Sequence, residues 1–301
     1  VIMPDEGVKA ELELGEPPQE YREWALKELG ELPDTRIQKL DELRNMIYQR
    51  GECEPHRTDD AFLLRFLRAR YFYVERAYKL FVNYYNFKEK NPEFFEDVHL
   101  DHLVKLGNVI LVPPYREQTG RRILLYRMGN WDTSSISVTE LFQATLMVLE
   151  LAILEQHAQI LGGIAMFDLG GLTLNQALHM TPSVASKMVQ IMVSHFPMKI
   201  KAIHIVFQSW MFDMIFNIFK PFLDERMKQR VFFHGDDMES LHQHIDPKHL
   251  PKKYGGVHED YDFMDWIRFF ASNATIVKEL RSLGYIVDEE LRKEYMQLLE
   301  K

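Results

Sequence analysis

Residues 196–235 read FPMKIKAIHIVFQSWMFDMIFNIFKPFLDERMKQRVFFHG, and their pattern decides the fold. A β-type run, KAIHIVF, gives way to a helix expected from about Ser209 to Phe222. A basic turn carrying Arg226, Lys228 and Arg230 follows, and then a second short strand, VFFHG. At about 100° per residue, the apolar residues from Phe207 to Leu223 cover far more than half of the helix circumference. Only Ser209, Asp213, Asn217 and Lys220 remain as a narrow polar stripe. A surface helix needs an apolar stripe of only about 100°, so this one keeps apolar surface after packing on a core. The surplus can face a second helix, a lipid-filled cavity or a bilayer. The run is too short to span a membrane, which takes about 20 apolar residues. The expectation is a protein that handles an apolar ligand.

Outward from this stretch, the same alternation extends toward the N-terminus. GNVILV, RRILLYR and GGIAMFDL read as strands, with helices from about Val138 to Gln156 and from about Pro182 to His195 between them. Strands alternating with helices imply an α/β domain with a largely parallel sheet. Ser137 and Glu140 form a capping box at the start of the first long helix. From Tyr21 to about Asn91 every strong pattern is helical instead, broken at Pro33 and in the loop Gly51–His56. Thr58 is the expected N-cap of DDAFLLRFLRAR, with Asp59 and Asp60 in its first turn, where the helix dipole favours acids. The expected organisation is a mobile acidic tail over 1–19, an all-helical module over 20–93, an α/β domain over 94–260 and a helical extension over 261–301 with a break at Gly284.

Composition narrows the function. The formal net charge of -9 argues against general nucleic-acid binding, so any basic surface must be local. The single Cys53 excludes an internal disulfide and fits a reducing compartment. VIMPDEGVKAELELG lacks the basic start and apolar core of a signal peptide, so a cytoplasmic placement is expected. Fifteen Met and twenty Phe make the interior soft and aromatic, and flexible Met side chains suit a cavity that holds an irregular ligand.

Catalytic signatures are missing: no G-x-S-x-G elbow, no GxxxxGK[ST] phosphate loop, no GxGxxG turn and no paired metal ligands. Asp168 ends a strand without an evident base or nucleophile beside it. His242 and His244 read as surface histidines and His234 as structural, with Asp236 or Asp237 capping the next helix. Glu150 lies inside TLMVLELAILE, apolar on almost every side. A carboxylate buried there needs a cation or hydrogen bonds, so it is either half of an ion pair to another element or a polar anchor beside a ligand. No enzyme, metal or cofactor is expected.

The strings FLLRFLRARYFYVERA, FDLGGLTLNQALHMTPSVASKMVQIMVSHFPMKIKAIHIVFQ, KPFLDERMKQRVFFHGDD and LPKKYGGV, in that order, resemble the CRAL-TRIO lipid-binding family, and most of all its α-tocopherol-transfer branch. The resemblance implies a helical N-terminal module, then a lipid-binding domain with a mostly parallel sheet and a mobile gate helix. It places the pocket on Phe142, Thr145, Leu149, Gly163, Phe167, Met180, Met188, Ile191, Met192, Met198 and Ile203. The gate falls at about Phe207–Arg230, including Phe207, Trp210, Met211, Met214, Ile215, Ile218 and Phe219. Phosphoinositide contacts fall on Arg70, Lys199, Lys201, Arg226 and Arg230, and Arg226 and Arg230 are four apart, one helical turn. The function so implied is a carrier that holds one tocopherol-like lipid in a gated cavity and exchanges it at phosphoinositide-containing membranes, peripherally and transiently attached. A retinoid or carotenoid chaperone and a membrane-recruited interaction module without transfer are the rival readings. A cavity on the order of 300–1,000 Å³ is expected, as for other small-molecule sites.

Overall fold

The computed structural model describes residues 8–299. The N-terminal helices are α1 (Gln19–Trp24, continued by a π turn to Leu29), α2 (Pro33–Arg50), α3 (Asp60–Ala69) and α4 (Val74–Lys90). Pro33 opens α2 at a position where its missing N–H is not needed. Asp59, not Thr58, caps α3: its carboxylate accepts from the Phe62 amide. The carboxylate one residue later accepts from a free amide of the first turn and adds negative charge at the helix N-terminus.

A short helix α5 (His102–Lys105) leads into the sheet. Its strands are β1 (Ile110–Leu111), β2 (Ile123–Arg127), β3 (Gly163–Asp168), β4 (Ile200–Val206) and β5 (Val231–Gly235), in the order β1-β2-β3-β4-β5. β1 is antiparallel to β2 and the other pairs are parallel. GNVILV yields only two strand residues because Pro113-Pro114 follows, and proline cannot donate to a ladder. The crossovers are α6 (Val138–Ala152) and α7 (Gln156–Leu161), α8 (Leu174–Leu178) and α9 (Pro182–Val193), and α10 (Met211–Phe219) and α11 (Glu225–Lys228). Every crossover advances one strand in the same direction. Right-handed connections then put all six helices on one face of the sheet.

Strand alternation assigns the two faces. Leu124, Ala165, Phe167, Ile203, Ile205 and Val231 belong to the cluster shared with α6, α9 and the N-terminal helices. Ile123, Leu125, Ile164, Met166 and Val206 meet Leu241, Ile245, Leu250 and Tyr254 from the closing segment. That segment includes α12 (Met238–His242), capped by Asp237. The long helix expected over 138–156 ends at Ala152, and α7 starts after Glu155. The Glu155 carboxylate, 1% exposed, receives Arg122 at 2.5 Å and Arg116 at 2.7 Å.

The C-terminal helices α13 (Met264–Ser272), α14 (Ala274–Ser282) and α15 (Glu289–Leu299) close a second core with Leu103, Ala144, Met147 and Leu151. Gly284, at φ +93°, turns the chain between α14 and α15. Against the expectation of a mobile tail over 1–19, Ala10, Leu12 and Pro17 are buried. The Glu13 amide donates to Glu155, and Arg122 donates to the Glu11 carbonyl. Three buried apolar residues and two hydrogen bonds to the backbone dock an otherwise acidic segment; residues 1–7 of the expected tail lie outside the described residues.

Candidate functional site

Between the helical face of the sheet and α6, α8, α9 and α10 lie two adjoining apolar chambers, of about 90 Å³ and 120 Å³. Met128, Trp131, Phe167, Met180, Met188 and Met192 wall both and form the neck between them. Each chamber is smaller than the sequence led us to expect. The neck explains the difference, since methionines with three soft torsions occupy volume that they can vacate.

The first chamber is walled by Phe142, Thr145 and Leu149 from α6, Ile191 from α9, and Met198 ahead of β4. Their presence follows from helical spacing: Phe142, Thr145 and Leu149 lie three and four apart, on the sheet-facing side of α6. Ile203 and Ile205 of β4 and Val231 of β5 line the second chamber. Of the eleven pocket positions expected, ten line a chamber. Gly163 does not. A Cβ placed there would meet Met198 Sδ at 3.5 Å, an ordinary van der Waals contact, so Gly163 sits behind a wall residue.

The gate splits into two faces. Phe212, Ile215, Phe216, Phe219 and Leu223 close the second chamber. Met211 is buried, whereas Trp210, 77% exposed, and Met214, 40% exposed, face outward. Ile218 is half-buried and lines neither chamber. Phe207 lines neither chamber. It has φ +56°, an uncommon conformation for a non-glycine residue. Its amide donates to the Gly235 carbonyl and its ring stacks on Tyr254, whose hydroxyl donates to Asp168 at 2.7 Å. Asp168, the strand-end carboxylate without a catalytic partner, also pairs with Lys253 at 2.8 Å, so its task is to hold the closing segment. The apolar helix expected over 209–222 is α10 followed by the 3-10 turn Lys220–Phe222, because Pro221 removes a helical donor.

Among the described residues, no Lys, Arg, Asp or Glu lines either chamber. Glu150 turns away from them. It accepts from Tyr84 at 2.5 Å and pairs with Lys88 at 3.7 Å, both on α4, which settles it as a structural ion pair. No group of three or more potential metal ligands occurs among the described residues.

The five basic positions differ in availability. Lys201 and Arg226 are exposed and have no ion-pair partner among the described residues. Arg230 is exposed, with one guanidinium N–H on the Ile200 carbonyl at 3.2 Å, which brings it beside Lys201. Arg226 and Arg230 do not share a helix face, since α11 ends at Lys228. Arg70 donates to the Val193 and Ala69 carbonyls. Lys199 is the one that sequence reasoning misplaced. Its ammonium donates to the Ile160 carbonyl at 2.7 Å and the Arg68 carbonyl at 3.3 Å, ahead of the ends of α7 and α3, and desolvation, with neighbouring Arg121 and Arg68, pulls its pKa down to about 7. Sequence reasoning also missed Leu124, Tyr126, Trp131, Phe196 and His179 as walls. The strand-face parity of Leu124 and Tyr126 was the available signal.

Residues 106–256 match the CRAL/TRIO domain, and residues 32–102 match the Pinta-like UBA domain. Clavesin-1 of Xenopus laevis is 36% identical over 80% of this chain and 74% of its own length. The alpha-tocopherol transfer protein-like protein of Mus musculus is 37% identical over 85% of this chain and 75% of its own. The crystal structure of Sfh5 shares the fold, with a TM-score of 0.52, 14% identity, and coverage of 77% of this chain and 91% of that one. With this apolar double chamber and these relatives, the chain belongs to the CRAL-TRIO family.

Proposed function

We propose that this protein is a non-enzymatic carrier that buries one neutral, isoprenoid-type lipid in the joined chambers and exchanges it at anionic membranes. The observation that carries this reading is a pair of chambers with no charged wall, closed by a helix that is apolar on both faces. Burial is the energetic reason for a carrier: each CH₂ kept from water is worth roughly 0.8 kcal/mol. A tocopherol-like ligand is favoured by the relative that bears that name. Among the described residues no helix is long and apolar enough to cross a membrane.

Trp210, Met214 and Phe222 on the gate, with Leu174 and Leu178 on α8, supply exposed apolar side chains for contact with a bilayer. Lys201, Arg226 and Arg230 supply positive charge for a phosphoinositide headgroup, each worth roughly 1 kcal/mol near an anionic surface. Two measurements test the reading together. An organic extract of the protein from native tissue, analysed by mass spectrometry, should contain one neutral lipid species in near-stoichiometric amount. Arg226→Glu with Arg230→Glu should slow lipid transfer to phosphoinositide vesicles and leave equilibrium binding intact. A protein that takes up no lipid, or a double variant that transfers at the wild-type rate, refutes the corresponding half.

A further inference from the structure

The sheet face turned away from the chambers carries a histidine cluster. His204 on β4 and His234 on β5 are 1% and 6% exposed, and His204 Nδ1 lies 2.9 Å from His234 Nε2. His234 Nδ1 lies 2.8 Å from Ser240 Oγ on α12. The exposed His244, just past α12, has its ring 5.1 Å from that of His204 and 5.7 Å from that of His234. Two neutral rings satisfy this chain: His204 donates to His234 and His234 to Ser240, or Ser240 donates to His234 and His234 to His204. One added proton also fits, on His234, whose two N–H groups then meet His204 Nδ1 and Ser240 Oγ. A proton on each ring does not fit, because two N–H groups would face each other across 2.9 Å, charge against charge. On the far side of β4, β3 contributes only the apolar Met166 beside His204. Among the described residues, the other titratable groups acting on the pair are His244 and, in opposition at His234, the Asp237 carboxylate. Desolvation first, then His234 and His244, pull the His204 pKa down to about 3.

The pair is joined to the root of the gate. Gly235, next after His234, accepts from the Phe207 amide, and its own amide donates to Gln208 Oε1, both at 2.9 Å. Phe207 and Gln208 lead into α10, whose Phe212, Ile215, Phe216 and Phe219 close the second chamber. On the other side, the Asp237 amide donates to the His234 carbonyl at 3.0 Å, and α12 shares Leu241 with a core of Met166 and Val206. A displacement of His234 therefore reaches both the gate and α12. We infer that the His204–His234 pair is an acid-sensitive latch: protonating both rings parts α12 from the sheet, frees Phe207 and Gln208 from Gly235 and speeds lipid exchange. The lipid step alone rests on the carrier reading above. The closed state refuses a proton that an exposed histidine accepts near 6.5, so acid favours opening. For His204 alone, lowering the pH from 7.5 to 5.0 raises the open-to-closed ratio about thirty-fold.

Two measurements on the full-length protein test the latch, each on the wild type and on His204→Leu with His234→Leu. That double variant removes both partners of the hydrogen bond and keeps the site apolar, which costs little. The first is hydrogen exchange at pH 7.5 and 5.0, corrected for the intrinsic effect of pH. In the wild type, acid should speed exchange over 207–219 and 236–245 by about ten-fold or more relative to α6, and in the double variant it should not. The second is transfer of a fluorescent tocopherol analogue to phosphatidylcholine vesicles, whose headgroup charge does not change over this pH range. Wild-type transfer should speed up by about ten-fold or more between pH 7.5 and 5.0, while the double variant keeps its pH 7.5 rate. His234→Gln, whose amide bridges His204 and Ser240 without taking a proton, should lose the response in the same way and serves if the double variant does not fold. A wild type whose exchange or transfer ignores pH, or an acid response that survives unchanged in the variants, overturns the latch and leaves the carrier reading standing. Failure to take up the analogue at pH 7.5 overturns the carrier reading, and the exchange measurement then decides the latch by itself.

Discussion

Lys199 offers the sharpest test of the physical reading, because its sequence position suggests a headgroup contact and its surroundings are those of an interior amine. A neutral amine has two N–H groups, and two carbonyls await them, Ile160 at 2.7 Å and Arg68 at 3.3 Å. Desolvation first, then the cations of Arg121, Arg68 and Arg70, bring its pKa down to about 7, against the pull of Glu31. In the unfolded chain a lysine titrates near 10.4. Between those two values the unfolded state binds more protons, so stability must rise with pH by up to about 1.4 kcal/mol per pH unit. Below pH 7 both states are protonated and the effect is flat. Starting half-titrated at pH 7, the gain by pH 9 is about 2 kcal/mol. The experiment is urea unfolding of the wild type and Lys199→Met at pH 6, 7, 8 and 9. Other groups titrate alike in both proteins, so the difference between the two stabilities isolates Lys199. It should stay level from pH 6 to 7 and move in favour of the wild type by about 2 kcal/mol by pH 9. Parallel profiles over the whole range would refute the burial argument and return Lys199 to the solvent-facing role.

Gly163→Trp should drive its ring against Met198, whose Sδ lies 3.5 Å from the Cβ position, and abolish binding of a fluorescent tocopherol analogue. Overpacking of this kind lowers stability by about 1–3 kcal/mol, read by chemical denaturation. Glu150→Ala should cost about 3–5 kcal/mol, because it strands Lys88 and the fully buried Arg65 without their carboxylate; Glu150→Gln, which keeps the Tyr84 hydrogen bond, should cost less. His204 is held neutral down to about pH 3 by desolvation and by His234 and His244. Its folded pKa lies below the unfolded value near 6.5, so wild-type stability should fall as pH drops from 6.5, by up to about 1.4 kcal/mol per unit. His204→Phe should flatten that acid limb in urea titrations at pH 7, 6 and 5.

Much of this molecule was legible in the chain itself. The strand VFFHG, the capping box of Ser137 and Glu140, and the helical module before Asn91 are written in local chemistry and hydrophobic period, which act over a few residues. The surplus apolar arc of the gate likewise announced a cavity, because its width exceeds what one packed face can use. Resemblance to the family then placed ten of the eleven pocket positions on the walls. Other features belong only to the tertiary structure. Nothing in the run SHFPMKIKAI tells the half-buried Lys199 from the exposed Lys201, two residues on. A strand edge and two helix ends, distant in sequence, decide it by bringing carbonyls to one ammonium and keeping water from it. Ala10 and Leu12 look like tail residues until a groove beside Glu155 receives them. His179 acquires a defined tautomer and a place on the wall only when Asn175 and Trp131 meet it there. Period and capping fix elements, but the charge state and exposure of a side chain depend on what the rest of the chain packs around it.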